Sequence, residues 1–264
     1  MLYACCLHVS PPFWRGPERK LLGRVIHSNI ILAASSPLTR WEQIGEKTRW
    51  GRYLAEVEER AILQAEGYAG LRTDGIDLGC GGGRWSKLLS DRGWNMTCVD
   101  VDPEALKICE HKLPGAKCIL SQSTDTTIPA PSASAAIALC IEAAPLVESE
   151  WFAGEVYRVL QTGGILIGVS INGRSLRGFV SRMKDRIFDR QSDYGFYEHS
   201  YGVLRKRLLD GGFEMIHEES FCWGPFKRDS DSLLVPAWTR LERSLRLPRL
   251  IRWAPWIVFI ARKN

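Results

Sequence analysis

The sequence predicts an α/β protein, doubly wound around a mostly parallel, seven-stranded sheet, with helices on both faces and a C-terminal cap insertion. Short apolar runs alternate with amphipathic stretches of helical period. A glycine-rich turn closes the first predicted strand, and 264 residues suit one large domain better than two. Strands that alternate with helices imply parallel pairing with a helical layer on each face. We expect one domain over residues 38–264, preceded by a poorly defined arm over residues 1–37.

The predicted elements alternate along most of the chain. An amphipathic helical segment runs from Ser36 to near Gly67, where apolar residues recur at helical spacing between charged ones. The predicted strands cover residues 75–78, 95–99, 116–120, 135–141, 164–170, 213–219 and 256–261. The predicted helices after the first segment cover residues 84–92, 103–113, 150–160, 174–190 and 201–209.

The glycine-rich turn, from Asp77 to Gly83, is the first candidate site. Glycine lets the backbone approach a ligand without a Cβ atom in the way, and the following helix N-terminus offers unpaired N–H groups. Such turns also serve dinucleotide sites and plain tight turns. Here Arg84 stands where a third glycine would complete the dinucleotide spacing, so that pattern fails.

Asp100 is the second candidate, at the end of the second predicted strand and about twenty residues after the turn. A carboxylate in this position can accept both hydroxyls of a ribose. By itself it could equally be an exposed turn residue. The glycine turn before it favours the ribose interpretation.

Three runs of the sequence resemble successive motifs of the class I methyltransferases that use S-adenosylmethionine (SAM), in particular the small-molecule and quinone-modifying group. They read GIDLGCGGGRWSKLL, NMTCVDVDPEALKIC and GEVYRVLQTGGILIGVS. The resemblance covers roughly Trp41 to Glu219, and the order and spacing of the motifs are more specific than any one of them. It implies a Rossmann-like fold, SAM as cofactor and methyl transfer as the reaction.

The resemblance also implies roles for single residues. Asp77, Gly79 and Gly81 would border the methionine part of SAM. Asp100 would hold the ribose and Val101 would pack on the adenine. Where the family usually has Gly-Asp-Ala, this chain has Ser121-Gln122-Ser123, and the Gln122 amide oxygen can still accept a hydrogen bond from the adenine amino group. The full predicted set of cofactor-binding residues is Asp77, Gly79, Cys80, Gly81, Gly83, Asp100, Val101, Gln122, Ser123 and Cys140.

Methyl transfer from a sulfonium is an in-line displacement, so positioning can supply much of the acceleration and no metal is required. A base helps where the acceptor has a proton to lose. The candidates are Glu142, just past the fourth strand, and His199, within an aromatic run. A plain loop carboxylate and a surface or helix-capping histidine are the competing interpretations.

The cysteine spacing predicts no metal site. The eight cysteines form no C-x-x-C pair and show none of the spacings of structural zinc sites, which indicates reduced cytosolic thiols. No apolar run reaches the roughly eighteen residues that span a bilayer. We therefore expect a cytoplasmic protein, monomeric or homodimeric, with peripheral membrane contact left open.

The basic surplus lies in the C-terminal third. The net charge is +5, and the residues from Asn172 onward include 18 of the 35 Lys and Arg. We expect cap insertions at about 172–200 and 220–255 that close over a small-molecule or lipid-like acceptor with an anionic or aromatic group. Their basic and tryptophan residues include Arg174, Arg177, Arg182, Trp238, Arg243, Arg246 and Trp253. Pro236, Pro248 and Pro255 should divide the second stretch into short pieces.

Other function classes remain open at this point. An RNA or protein methyltransferase and a non-catalytic SAM-binding or partner subunit could both use this fold. Nucleic acid is not favoured, because no added RNA-binding module is recognisable. The tetrapeptide Asn/Asp-Pro-Pro-Tyr is also absent after the fourth strand, where the chain reads Cys-Ile-Glu-Ala.

Overall fold

A computed structural model describes residues 38–187 and 200–264, without the side chains of residues 184–187. The strands are β1 (Asp74–Leu78), β2 (Asn95–Asp100), β3 (Lys117–Leu120), β4 (Ala135–Cys140), β5 (Leu160–Ile171), β6 (Phe213–Phe221) and β7 (Trp256–Lys263). The helices are α1 (Arg40–Lys47), α2 (Arg49–Ala69), α3 (Arg84–Ser90), α4 (Pro103–Lys112), α5 (Ala144–Val147), α6 (Phe152–Val159), α7 (Leu176–Ile187), α8 (Tyr201–Asp210) and α9 (Val235–Ser244).

All seven strands join one sheet in the order β3-β2-β1-β4-β5-β7-β6. Strands β1 to β5 pair in parallel, and β7 is antiparallel to both β5 and β6. The predicted mostly parallel sheet is thus confirmed, with β7 as the reversed strand. The carboxyl ends of β1, β2 and β4 therefore meet at one edge, which is where open α/β sheets bind ligands.

Helices cover both faces of the sheet. Ile137 and Ala138 are neighbours in β4 and belong to separate apolar clusters on opposite faces, and neither is exposed. Successive strand residues point to opposite faces, so both faces of β4 are inside the protein. This burial explains why the strands read as continuous apolar runs.

The N-terminal helical segment is two helices, where the sequence predicted one. Thr48 has extended backbone angles that end α1, and its hydroxyl accepts a 3.1 Å hydrogen bond from the Gly51 amide at the start of α2. Threonine favours such caps because its side chain satisfies an unpaired N–H group of the first turn. Apolar residues keep their helical spacing from α1 into α2, so this spacing could not reveal the cap at Thr48.

The proline-rich stretch before β7 is divided into pieces as predicted, except that Pro236 does not break it. Pro236 lies in the first turn of α9, where its missing N–H group is tolerated, so a ten-residue helix forms. Pro248 lies in a short 3₁₀ helix, Leu247–Arg249, and a second one spans Ile251–Trp253. In the described ranges, no helix combines the length and the apolarity needed to cross a membrane.

Candidate functional site

The glycine turn after β1 has the backbone that its glycines allow. Gly79, Gly81 and Gly83 all have positive φ angles, at 77°, 52° and 76°. The amides of Gly79 and Cys80 both donate to the carbonyl of Val99, over 2.8 and 3.1 Å, which fixes the turn to the end of β2. Residues with side chains rarely adopt these angles.

The three glycines face different surroundings. A Cβ atom at Gly79 would lie 2.7 Å from Cβ of Ala143, and one at Gly83 would lie 2.6 Å from Sγ of Cys109. A Cβ atom at Gly81 would meet nothing within 4 Å. Gly79 and Gly83 are therefore needed for packing, while Gly81 borders open space that a ligand can use.

Helix α1 packs on the same turn. A Cβ atom at Gly82 would lie 2.5 Å from Oε2 of Glu42. Glu42 is buried, accepts a 2.7 Å hydrogen bond from the Thr39 amide and forms an ion pair with Lys112 of α4. These contacts place α1, including its exposed Trp41, beside the turn.

Asp77 lies beneath the turn. Its side chain is 2% exposed and accepts a 2.6 Å hydrogen bond from the hydroxyl of Ser86 in α3. Burial raises the pKa of Asp77 to about 8, and the hydrogen bond from Ser86 opposes this shift. The side chain thus links β1 to α3 from inside the protein.

Asp100 connects the end of β2 to the glycine turn. Its Oδ2 accepts a 2.7 Å hydrogen bond from the Gly81 amide, and its Oδ1 accepts from the amides of Val101 and Asp102 over 2.7 and 2.9 Å. Burial raises its pKa, while these three backbone donors lower it. A carboxylate has about four lone-pair positions, so about one remains on Oδ2.

The loop after β3 carries the residues predicted to meet the adenine. Gln122 is exposed and Ser123 is partly buried, while Val101 is partly buried across from them at the end of β2. The carboxylate of Asp125 accepts hydrogen bonds from the Gln122 amide (2.7 Å) and the Ser121 hydroxyl (2.8 Å), and these donors lower its pKa. The loop is therefore held by Asp125, a residue the sequence analysis did not single out.

The two predicted cysteines turn their thiols away from the site. Cys140 has no exposed surface and belongs to the apolar core, and Cys80 is 8% exposed and belongs to the core on the other face. Only the backbone of either residue could contact a cofactor.

Glu142 occupies an unusual backbone conformation at the carboxyl edge. Its φ angle is +58°, which costs free energy for a residue with a side chain. Its Oε2 forms an ion pair with Nη2 of Arg228. Ala143, the next residue, is the one that would contact a Cβ atom at Gly79, so Glu142 adjoins the glycine turn.

Arg228 lies between two indole rings. Its guanidinium carbon is 4.5 Å from the ring centre of Trp41 and 5.6 Å from that of Trp256. Trp256 is the first residue of β7, which starts at the carboxyl edge because β7 is antiparallel. Cation–π attraction and the ion pair with Glu142 thus hold the Arg228 guanidinium at this edge.

Glu58 of α2 is a buried acid near the same cation. It is 4% exposed, and in the described part of the chain its Oε1 has no hydrogen-bond partner. Burial raises the pKa of Glu58 to about 7, and the positive charges of Arg228 and Arg84 oppose this shift. The sequence held one signal for it, because Glu58 interrupts the apolar stripe of α2. Arg228 had no comparable signal.

His199 lies outside the described residues, as do the N-terminal arm and most of the link between α7 and α8. Both predicted cap stretches do start or end at the carboxyl edge. The Asn172 amide donates to Pro255 O over 2.9 Å and its Nδ2 donates to Ala254 O over 3.0 Å, which joins the two connections.

Two of the basic and aromatic residues of the predicted cap stretches form hydrogen bonds within these stretches. Arg177 donates to the carbonyl oxygens of Cys222 and Phe226, and the indole N–H of Trp238 donates to Glu242 over 2.9 Å.

Comparison with known proteins gives the following matches. Residues 76–168 match the sequence model of a family described as "Methyltransferase domain". Among curated proteins, no sequence matches this chain. A proposed sarcosine dimethylglycine methyltransferase from Galdieria sulphuraria has a similar structure, with a TM-score of 0.55 at 16% identity over 81% of this chain and 88% of that one.

Two further structures are similar. An S-adenosylmethionine-dependent methyltransferase from Mesorhizobium loti gives a TM-score of 0.52 at 18% identity, over 78% of this chain and 96% of that one. A geranyl diphosphate methyltransferase, solved with GPP and sinefungin, gives 0.52 at 15% identity, over 76% and 77% of the two chains. At these identities the likeness establishes the fold, and the domain match covers the glycine turn, Asp100 and β4.

Proposed function

We propose that the chain transfers the methyl group of SAM to a small-molecule or lipid-like acceptor by in-line displacement, since residues 76–168 match a family described as "Methyltransferase domain". One observation carries the proposal. The ends of β1 and β4 adjoin at Gly79 and Ala143, so the cofactor turn and the Glu142–Arg228 pair share one edge of the sheet.

The residues of the turn suit SAM. SAM supplies an electrophilic methyl group on a sulfonium. The open space at Gly81 admits a ligand against the backbone, and the remaining lone pair of Asp100 Oδ2 can accept a ribose hydroxyl. A second hydrogen bond from the ribose would require the hydrogen bond between the Gly81 amide and Oδ2 to break. Gln122 and Ser123 are proposed to meet the adenine, with Val101 packing against its ring.

The acceptor is proposed to bind at the Glu142–Arg228 pair. Trp41 and Trp256 offer flat apolar surfaces, and the ion pair offers a carboxylate and a guanidinium, which suits a molecule with an apolar body and a polar group. The cap connections at 172–200 and 220–255 would close over this edge. Where the acceptor has a proton to lose, Glu142 is the proposed base. His199 remains the second predicted base.

The proposal is tested by following a labelled methyl group. The full chain is incubated with SAM labelled in its methyl group and a cell extract, which is then separated into small-molecule, lipid, RNA and protein fractions. We expect label in the small-molecule or lipid fraction with the wild type and little with Glu142→Gln, while both bind SAM. Label found only in the RNA or the protein fraction would indicate an RNA or protein methyltransferase instead. SAM binding without transfer to any fraction would indicate a non-catalytic subunit.

A further inference from the structure

Four cysteines from four different elements meet beneath the glycine turn. The sulfur atoms of Cys80, Cys98 and Cys109 all lie within 4.8 Å of one another, and all three residues are buried. A fourth thiol, that of Cys118, lies 3.7 Å from Sγ of Cys109. We refer to these four residues as the thiol cluster.

The fold brings the thiol cluster together in a defined way. Cys98 of β2 and Cys118 of β3 are direct partners in the parallel pairing of these strands. Cys109 lies on the buried face of α4, and Cys80 follows Gly79 in the turn after β1. Helix α4 packs against β2 and β3. These elements are rigid supports for Cys98, Cys109 and Cys118, and hydrogen bonds to the Val99 carbonyl fix the turn that contains Cys80.

The distances suit coordination by thiolates. A bond between a metal and sulfur of about 2.3 Å in a tetrahedral site separates the sulfur atoms by about 3.8 Å. The 3.7 Å between the sulfur atoms of Cys109 and Cys118 matches this separation. The sulfur atoms of Cys80, Cys98 and Cys109 lie within 4.8 Å of one another, so small side-chain rotations are enough to reach it. A disulfide would require about 2.05 Å between sulfur atoms, and these cysteines are free thiols.

From this geometry we propose that the thiol cluster binds one thiophilic metal ion of the zinc type, with Cys80, Cys98, Cys109 and Cys118 as ligands. Three buried sulfur ligands with a fourth, partly buried thiol beside them favour zinc among the biological divalent ions. Each thiol that coordinates the ion releases its proton to solvent, so binding strengthens as the pH rises. Chain spacing could not predict this site, because its ligands are separated by 17, 10 and 8 residues rather than paired in a C-x-x-C turn.

The ion would also act on the cofactor turn. Cys80 lies between Gly79 and Gly81, and a Cβ atom at Gly83 would be only 2.6 Å from the Cys109 sulfur. Coordination of Cys80 would therefore hold the turn against α4 and β2. The site is separate from methyl transfer, and its test does not depend on whether the acceptor has been identified.

The experiment measures zinc binding by the full chain. The protein is purified under reducing conditions, stripped of metal with a chelator and titrated with Zn²⁺, and with Co²⁺ as a spectroscopic probe. We expect one equivalent of Zn²⁺ per chain, a cobalt spectrum with thiolate charge-transfer bands, and a higher thermal unfolding midpoint once Zn²⁺ is bound. Cys98→Ser should lose all three signals.

Cys118→Ser is the second variant, because Cys118 is only partly buried and its replacement spares the core if Cys98→Ser does not fold. It should bind Zn²⁺ at least tenfold more weakly. Cys222→Ser is the matched control, since Cys222 is a buried thiol outside the thiol cluster whose replacement keeps an acceptor for Arg177. A Cys5→Ser/Cys6→Ser variant tests the two cysteines beyond the described ranges, and both controls should retain one equivalent.

Three results would overturn the proposal. One is the absence of stoichiometric Zn²⁺ binding by the reduced chain. Another is unchanged Zn²⁺ binding in both single variants, Cys98→Ser and Cys118→Ser. The third is loss of binding in Cys5→Ser/Cys6→Ser or in Cys222→Ser, which would place the ion elsewhere.

Discussion

The backbone amide of Gly81 donates a 2.7 Å hydrogen bond to Oδ2 of Asp100. This contact joins the glycine turn after β1 to the end of β2, so the two sequence motifs proposed to bind SAM form one unit. Asp100 therefore has two effects on the site. It shapes the turn through Gly81 and offers its remaining lone pair to a ligand.

Replacing Asp100 by asparagine should weaken SAM binding by about 1.5–3 kcal/mol, the usual contribution of hydrogen bonds to a charged group. Titration calorimetry with SAM and S-adenosylhomocysteine measures the change. Asp91→Asn, at the exposed end of α3, is the control and should bind as the wild type does. An unchanged dissociation constant in Asp100→Asn would mean that Asp100 only supports the turn.

Gly81→Asn should block the cofactor site while leaving the fold intact. Asparagine tolerates a positive φ angle better than most residues, and the added side chain would enter the open space beside the turn. We expect SAM binding to become undetectable and the free energy of unfolding to change by about 1 kcal/mol or less.

Gly163→Asn is its matched control, because Gly163 also has a positive φ and open space but lies in β5, distant in sequence from the turn. It should show the same small stability change and normal SAM binding. Full SAM affinity in Gly81→Asn would exclude the space beside this glycine as the cofactor site.

Arg228→Ala should lower the free energy of unfolding by about 1–3 kcal/mol, less than for a fully buried pair because both side chains retain some exposure. It removes the ion pair with Glu142 and the cation held between Trp41 and Trp256. Urea unfolding measures the loss, and SAM affinity should stay within about twofold. Lys206→Ala, which removes an exposed pair with Asp210, should change stability by less than about 0.5 kcal/mol. Equal effects of the two substitutions would contradict a structural role for Arg228.

Glu58 should make the protein less stable as the pH rises from about 4.5 to about 7. Burial raises its pKa to about 7 in the folded chain from 4.5, so the folded state holds a proton that the unfolded state releases in this range. Stability therefore falls with rising pH and levels off above about 7.

Glu58→Gln resembles the protonated acid and should remove this pH dependence. The substitution should raise the free energy of unfolding by up to about 3 kcal/mol at pH 8 and change it little at pH 4. Urea unfolding at several pH values measures it against Glu56→Gln, an exposed acid of the same helix. The difference between wild type and variant isolates Glu58 from Asp77, whose raised pKa acts in the same direction. Identical pH profiles for wild type and Glu58→Gln would show that Glu58 is ionised in the folded chain.

The sequence by itself was sufficient for the seven strands in chain order, the mostly parallel sheet and the placement of Asp77, Gly81 and Asp100 at the ends of the first two strands. These features are encoded locally, because apolar period, glycine and proline act on the backbone within a few residues. The sequence did not predict the break at Thr48, because this cap depends on a side-chain hydrogen bond that periodicity does not record. It also did not predict the helix that begins at Val235, where Pro236 lies in the first turn.

Only the tertiary structure decided which side chains meet. Arg228 joins Glu142, 86 residues away, and the four members of the thiol cluster come from a turn, a helix and two strands. Neither arrangement has a local signature, because strand order and helix packing determine it and no fixed spacing along the chain reports them. Glu58 illustrates both contributions. Its place on an apolar stripe is visible in the sequence, while its raised pKa comes from burial in the folded chain, against the opposing charges of Arg228 and Arg84.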